Sequence, residues 1–406
     1  MKIDLLIIAH FCSDFDGKGN NRFNYIVNLL SEDTKLDVEL VTSDFSHIKK
    51  HYREKINFSY NYKITMIHEP GYKKNVSLRR FISHYIMGRN LEKYLKQRKR
   101  PDLIYCAVPS LDVAKVAAEY AKRNNIKFII DVQDLWPEAF KMIVKIPIIS
   151  NFIFYPIQKK ADFIYSSADD IIAVSKTYAN RAAKVNKKCN ETHVVYLGTE
   201  LKHFDELTNE YKIDKPDDEF WIGYTGTIGH SYDIKCIIDA IEILNYKGIK
   251  NIKFLVMGDG PLRESFESYV KQKNINNLIT FTGGLEYGRM VSILKSCDIA
   301  VNPIRKRAAQ SIINKHADYA AAGLPVINTQ ECEEYRELVV NYNMGLNCRN
   351  NDPNDVAMKI LQLYNNHDLR KEMGLNSRRL AKEKFDREKS YKEIVNVIYN
   401  RLTLNK

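Results

Sequence analysis

Lys315 and Asp318 stand three positions apart in the run Gln310-Ser311-Ile312-Ile313-Asn314-Lys315-His316-Ala317-Asp318-Tyr319. On a helix this spacing puts both on one face near the N-terminus, where an ammonium can meet phosphate oxygens and a carboxylate can accept from ribose hydroxyls. The same spacing equally suits an ordinary surface ion pair, worth about 0.2–0.5 kcal/mol. Upstream, two apolar runs end in glycine turns, Tyr224-Thr225-Gly226-Thr227-Ile228-Gly229 and Met257-Gly258-Asp259-Gly260-Pro261. In an open α/β sheet the carboxyl ends of the strands line the ligand crevice, and glycines there let backbone N–H groups approach an anion. A third loop, Asp14-Phe15-Asp16-Gly17-Lys18-Gly19-Asn20-Asn21-Arg22, follows the first apolar run. Gly17, Gly19, Asn20 and Arg22 are its candidates for holding a phosphate or an acceptor group, although the strict Gly-x-Gly-x-x-Gly fingerprint is absent. Asp14 and Asp16 form an Asp-x-Asp that can hold a divalent cation or simply shape an Asx turn.

The elements that must position these groups follow an alternating pattern. Short runs rich in Ile, Val, Leu and Phe are separated by longer segments of helical period, the pattern of parallel sheets covered by helices. In the first half the runs are 3–9, 38–42, 64–68, 103–107, 128–131, 171–174 and 194–197, with helices expected at 21–30, 78–97, 110–123 and 176–184. The second half repeats the rhythm at 221–225, 253–257, 278–282, 299–303, 326–328 and 345–348. The expectation is two doubly wound α/β domains in tandem: residues 1–198, a polar linker at 199–219, a second domain at 220–385, and a C-terminal helix at 386–406. No internal repeat of 20–50 residues is visible.

The chain has 406 residues and a formal net charge of +12. The window from Phe45 to Arg100 holds 15 Lys or Arg against three acids, so it alone carries that charge and the other residues balance. Such a concentration points to an anionic partner at one place, a membrane surface or a polyphosphate, or to a solvated basic helix. The seven cysteines are scattered and never spaced as Cys-x-x-Cys, which indicates neither a disulfide framework nor a zinc site and fits a reducing compartment. The N-terminal apolar run lacks a small-residue cleavage site. The apolar stretch at 146–157 contains Pro147, Ser150, Asn151 and Pro156 and is too short to span a bilayer.

Taken together, Gly17 to Arg22, Asp131-Val132-Gln133-Asp134-Leu135-Trp136-Pro137-Glu138, Gly258-Asp259-Gly260-Pro261 and Ser311 through Ile327 resemble glycosyltransferase family 4, in particular its bacterial branch acting in capsule and O-antigen assembly. The resemblance covers nearly the whole chain. It implies a GT-B fold of two Rossmann-like domains facing across a cleft, with a helical tail crossing back. It also implies an acceptor on the first domain, a nucleotide sugar on the second, and transfer with retention, with no cofactor and no metal required. On that template Lys315 and the Gly226–Gly229 backbone meet the diphosphate, with Thr227 inside that turn. Asp318 takes the ribose, while the family's first acid falls at Gln310, next to Ser311. The basic pair common after the first strand of the second domain is replaced by Tyr232-Asp233. Gly258, Asp259 and Gly260 join the donor site, and Gly283 and Leu285 match the turn that reads a base, in a manner suited to uridine. Gln133-Asp134 stand where a His-Asp pair is common, which makes Asp134 the candidate catalytic carboxylate beside Lys315.

These features lead to a transferase that takes a UDP-sugar and a lipid-diphosphate-linked saccharide. It is expected to be cytoplasmic and peripheral at the inner membrane face, docking on anionic lipid through residues 45–100. Two other readings stay open. A sugar-nucleotide epimerase uses the same two-domain fold without transfer. Aromatics among the bases of 45–100 suit single-stranded nucleic acid, but no recognised binding-module signature accompanies them, so no nucleic-acid partner is expected.

Overall fold

Short runs of consecutive buried residues rich in Leu, Ile and Val, bounded by turns, suit strands covered on both faces, and the first half of the chain stacks seven strands in parallel. The computed structural model describes residues 2–15, 21–54, 59–75, 77–141, 147–306, 308 and 311–403, with side chains outside 141–153. The strands are β1 (Ile3–Ile8), β2 (Leu36–Ser43), β3 (Lys63–Ile67), β4 (Leu103–Val108), β5 (Lys127–Val132), β6 (Asp170–Ala173) and β7 (Thr192–Val194). Their order is β3-β2-β1-β4-β5-β6-β7. The reversal of direction at β1 is a topological switch point, which sets the binding edge at the ends of β1 and β4.

The second sheet holds β8 (Phe220–Thr225), β9 (Ile252–Met257), β10 (Ile279–Gly283), β11 (Ile299–Asn302), β12 (Val326–Asn328) and β13 (Gly345–Asn347), ordered β10-β9-β8-β11-β12-β13 and parallel throughout. Its switch point lies between β8 and β11. Ile222, Tyr224, Ile237, Ile241, Phe254 and Ile360 are fully buried in its core. The helices Pro353–Asn365 and His367–Leu380 pack within this unit, the first against helix Ile234–Tyr246 and the second against helix Asn314–Ala322.

The chain divides into Met1–Tyr196 with Tyr391–Lys406, and Leu197–Ser390. The stretch expected as a linker, 199–219, is instead structured within the second unit. Thr199 pairs with Asp386, and helix Leu201–Thr208 buries Leu201 and Phe204, three apart on one face. The return to the first unit falls at Tyr391 rather than 386. Helix Lys392–Thr403 then sets Ile394, Val397, Ile398 and Leu402 into the core beside Leu5, Ile7 and Phe23.

One strand is displaced from its expected place. β7 ends at Val194 because Arg22 Nη1 donates to the carbonyls of Val195 (2.9 Å) and Tyr196 (3.3 Å), which takes those groups out of the ladder. Residues 147–157 of the apolar stretch fall in helix Pro147–Ser167, which carries Pro156 internally, and residue 146 lies outside the described residues. Among the described residues no helix is long and apolar enough to cross a membrane. All seven cysteines are free.

Candidate active site

In the second unit the helix bearing Lys315 is fixed by its neighbours before any ligand is considered. The Tyr319 hydroxyl accepts from Thr225 N–H (3.1 Å) and donates to the Val301 carbonyl (3.1 Å), which locks helix Asn314–Ala322 against the ends of β8 and β11. Asn302, Asn328 and Asn347, at the ends of β11, β12 and β13, form an amide ladder. Gln330 joins the ladder and donates from Nε2 to the Ser311 carbonyl (2.8 Å), pinning the segment that leads into the helix.

Lys315 is 7% exposed, and its Nζ lies 4.0 Å from the ring centroids of both Tyr224 and Tyr232. That Nζ has no hydrogen-bond partner among the described residues, so the surface ion pair with Asp318 does not form. Burial holds its pKa well below the usual lysine range. The ammonium faces Gly226, where a Cβ would come within 3.2 Å of it. Tyr232, in the place of the family's basic pair, thus contributes a ring face to the lysine.

The glycine turns serve each other as much as a ligand. Gly258 has φ +157°, and a Cβ on it would lie 1.9 Å from the Gly226 carbonyl oxygen; on Gly260 it would lie 2.4 Å from that of Ile228. The close approach expected of a phosphate at these two glycines is therefore taken by the neighbouring turn. Gly226 N–H donates to Met257 O and Ile228 N–H to Asp259 O, both at 2.9 Å. Among the described residues, this leaves the N–H groups of Thr227 and Gly229 for an anion.

Asp318 accepts from the Tyr287 hydroxyl (2.8 Å), which also meets Thr199 Oγ1 (3.2 Å). Burial pushes the Asp318 carboxyl up to about 6, against the opposing pull of Tyr287 and Arg387. Ser311 departs from its expected donor contact: it is 2% exposed, with its hydroxyl turned to the buried Glu334 carboxylate at 3.4 Å. Asp259 is exposed and accepts from Gly260 N–H (2.7 Å). Gly283 is buried at φ +75° against Arg263 Nη1, and Leu285 lies two residues beyond it. Gln310 lies outside the described residues.

In the first unit, a cavity of about 210 Å³ opens at the carboxyl edge, lined among others by Phe11, His47, Arg80, Gln133, Asp134 and Trp136. Asp134 accepts from Leu135 N–H (2.9 Å) and Trp136 Nε1–H (3.1 Å). Burial raises its pKa against those bonds, which suits a carboxylate that takes up a proton. Beside the cavity a buried polar chain joins several elements of the sheet edge. His10 Nε2 meets Glu69 Oε1 at 2.8 Å and its Nδ1 meets Ser110 Oγ at 2.6 Å, while Ser43 and Ser83 donate to Glu69. Burial alone would raise the Glu69 carboxyl, but these donors outweigh it and hold it at about 2. Among the described residues His10, Glu69 and His84 are the one group with metal-ligand proximity. The ligand atoms of His10 and Glu69 are already committed to hydrogen bonds.

Arg22 is corrected from an acceptor contact to an internal brace. Its Nε donates to Asp131 Oδ2 at 2.7 Å, and both side chains are essentially inaccessible. Gly17, Gly19 and Asn20 lie outside the described residues. The sequence reading missed Arg80, His10, Glu69 and Tyr287. His10 and Glu69 each come two residues past a strand end, a position that signals a binding edge, whereas nothing local marks Tyr287.

Residues 205–380 match the model of the family Glycosyl transferases group 1. The chain is 24% identical to the capsular polysaccharide biosynthesis glycosyltransferase CapM of Staphylococcus aureus over 88% of each chain. Its fold is similar to that of sucrose-phosphate synthase from Thermosynechococcus elongatus (TM-score 0.75, 16% identity, all of both chains covered). It is also similar to Anabaena HepE solved in complex with UDP (TM-score 0.68, 13% identity, 98% of this chain and all of the other). With two parallel α/β units of the GT-B type and a glycosyl transferases group 1 domain in the second, the protein is a glycosyltransferase.

Proposed function

We propose that the protein is a retaining transferase that moves a hexosyl or N-acetylhexosaminyl group from a UDP-sugar to a lipid-diphosphate-linked saccharide. The setting would be assembly of a bacterial surface polysaccharide at the inner face of the cell membrane. One observation carries the donor side of this reading: a buried ammonium without a partner among the described residues, set beside two turn amides that face no acceptor of their own there. Burial disfavours the charged form of this unpartnered amine, and a diphosphate supplies the missing partner and favours the ammonium. When the bond from the anomeric carbon to the diphosphate breaks, negative charge grows on the leaving oxygen. Lys315 and the N–H groups of Thr227 and Gly229 are pre-aimed at that charge, so they act most strongly in the transition state, with no resident metal in this reading. The acceptor hydroxyl gives its proton to Asp134 or to the leaving phosphate. CapM, named for capsule synthesis, and HepE, solved with UDP, support the pathway and the base.

Docking on anionic lipid draws on helix Leu78–Gln97. Leu78, Ile82 and Tyr85 stand 82%, 56% and 57% exposed at helical spacing, among Arg79, Arg89, Lys93 and Lys96. An apolar stripe framed by cations suits a headgroup boundary. The test is to incubate the protein with a panel of UDP-sugars and a polyprenyl-diphosphate saccharide and to read product anomers by NMR. Retained configuration in a glycosylated lipid is the expected product. An inverted linkage, or epimerised nucleotide sugar formed without acceptor, would displace the proposal.

A further inference from the structure

The cavity of the first unit holds more positive charge and more hydrogen-bond donors than the protein itself uses. Arg80 is 9% exposed, and burial lowers the pKa of its guanidinium against the opposing pull of Tyr72, Asp134 and Glu69. Nη1 donates to the Asn75 carbonyl (2.9 Å), whereas Nε has no partner among the described residues. Around it stand the ring faces of Trp136 (4.7 Å), Tyr72 (5.7 Å) and Phe11 (6.0 Å), which soften burial of the charge, and the Tyr72 hydroxyl is a hydrogen-bond partner of the guanidinium, so the unmet donor is Nε.

Its place in the helix sharpens the point. Ser77 caps helix Leu78–Gln97 by accepting from Arg80 N–H, so the guanidinium springs from the first turn, at the positive end of the helix dipole, where no acid accompanies it. Lys50 adds a second cation 4.6 Å from the Tyr72 ring. Of the two nearby carboxylates, Glu69 is committed to His10, Ser43 and Ser83, and Asp134 accepts from Leu135 N–H and Trp136 Nε1–H. In the same cavity lining, Gln133 Nε2 is buried and also lacks an acceptor among the described residues. The cavity of about 210 Å³ leaves room for a charged group and part of the ring that bears it.

We propose that this cavity binds an oxyanion, phosphate or carboxylate, carried by the acceptor: Arg80 holds the anion, Gln133 donates to it, and the acceptor hydroxyl lies toward Asp134. The inference rests on the transferase reading only in calling the ligand the acceptor. The chain has two tryptophans, so Trp221→Phe leaves Trp136 as the reporter, and Lys315→Met in the same protein silences the anion site of the second unit. This protein is titrated with glucose 1-phosphate, glucuronate and glucose while Trp136 emission is followed. Saturable change with either anionic sugar, at about 10- to 100-fold lower Kd than glucose, is expected, and Arg80→Gln should erase that preference. Equal response to all three sugars, no response, or an Arg80→Gln titration matching the parent would overturn the assignment. If Arg80→Gln does not fold, the comparison of charged and neutral sugars on the Arg80 protein decides alone. Nucleotide-sugar binding is measured separately with Lys315 intact. A protein that binds anionic sugars at Trp136 yet takes no nucleotide sugar keeps the cavity assignment and loses the transferase reading.

Discussion

Replacing Lys315 by Met should move ligand binding and stability in opposite directions. The side chain is 7% exposed, sits between two tyrosine rings, and has no hydrogen-bond partner for its Nζ among the described residues. Met keeps most of the packed volume and removes the desolvated charge, so the ligand-free protein should gain about 1 kcal/mol, or about 2–4 °C in Tm for a unit of this size. Binding of UDP loses a charge-assisted hydrogen bond to phosphate, about 1.5–3 kcal/mol, which raises Kd by about 10- to 150-fold. At a UDP concentration 100 times the parent Kd, the parent gains about 2.7 kcal/mol, while a variant with 100-fold weaker binding gains only about 0.4 kcal/mol. Differential scanning fluorimetry with and without UDP reads both effects in one experiment. A variant with lowered ligand-free Tm and an undiminished UDP-induced shift would show that the ammonium is structural and that the phosphate assignment is wrong.

Asp318 has a folded pKa of about 6 against about 4 in an unfolded chain, so the folded state binds its proton more tightly. The stability it contributes is complete below about pH 4 and is lost as pH rises through about 6; Asp318→Asn should flatten the urea midpoint over that window, and an unchanged slope would deny the shift. Asp131→Ala leaves Arg22 buried without its carboxylate and should cost about 3–5 kcal/mol by urea unfolding. Gly258→Ala puts a Cβ against the Gly226 carbonyl at positive φ and should cost more than about 2 kcal/mol, read as a lowered Tm. Changing Leu78, Ile82 and Tyr85 together to Ser should reduce co-sedimentation with phosphatidylglycerol vesicles about tenfold or more while leaving UDP binding intact. Equal sedimentation would remove the membrane role of this helix.

The sheets were legible because burial on both faces leaves an unmistakable mark. Runs such as Leu5-Leu6-Ile7-Ile8 and Phe128-Ile129-Ile130 admit no polar face, and every expected strand is present, with β7 alone shifted along the chain. The 199–219 segment misled because its polar composition hides two core positions, Leu201 and Phe204, that only matter when a partner surface exists. Arg22 misled for a similar reason. Its place after a glycine loop suggests a ligand, while its buried partner Asp131 is more than a hundred residues away.

By itself the sequence determined the two-unit α/β architecture, the localisation of the charge between Phe45 and Arg100, and the placing of Lys315 and Asp318 three positions apart on one helix, since periodicity, composition and spacing are local properties. Only the tertiary structure decided what those residues do. It separated Lys315 from an ion pair with Asp318 and seated it between Tyr224 and Tyr232; it turned Arg22 inward, and it brought Arg80, Gln133 and Asp134 to one cavity. Whether a charge is paired, buried or left waiting for a ligand depends on groups distant in the chain, and that information exists only once the chain has folded.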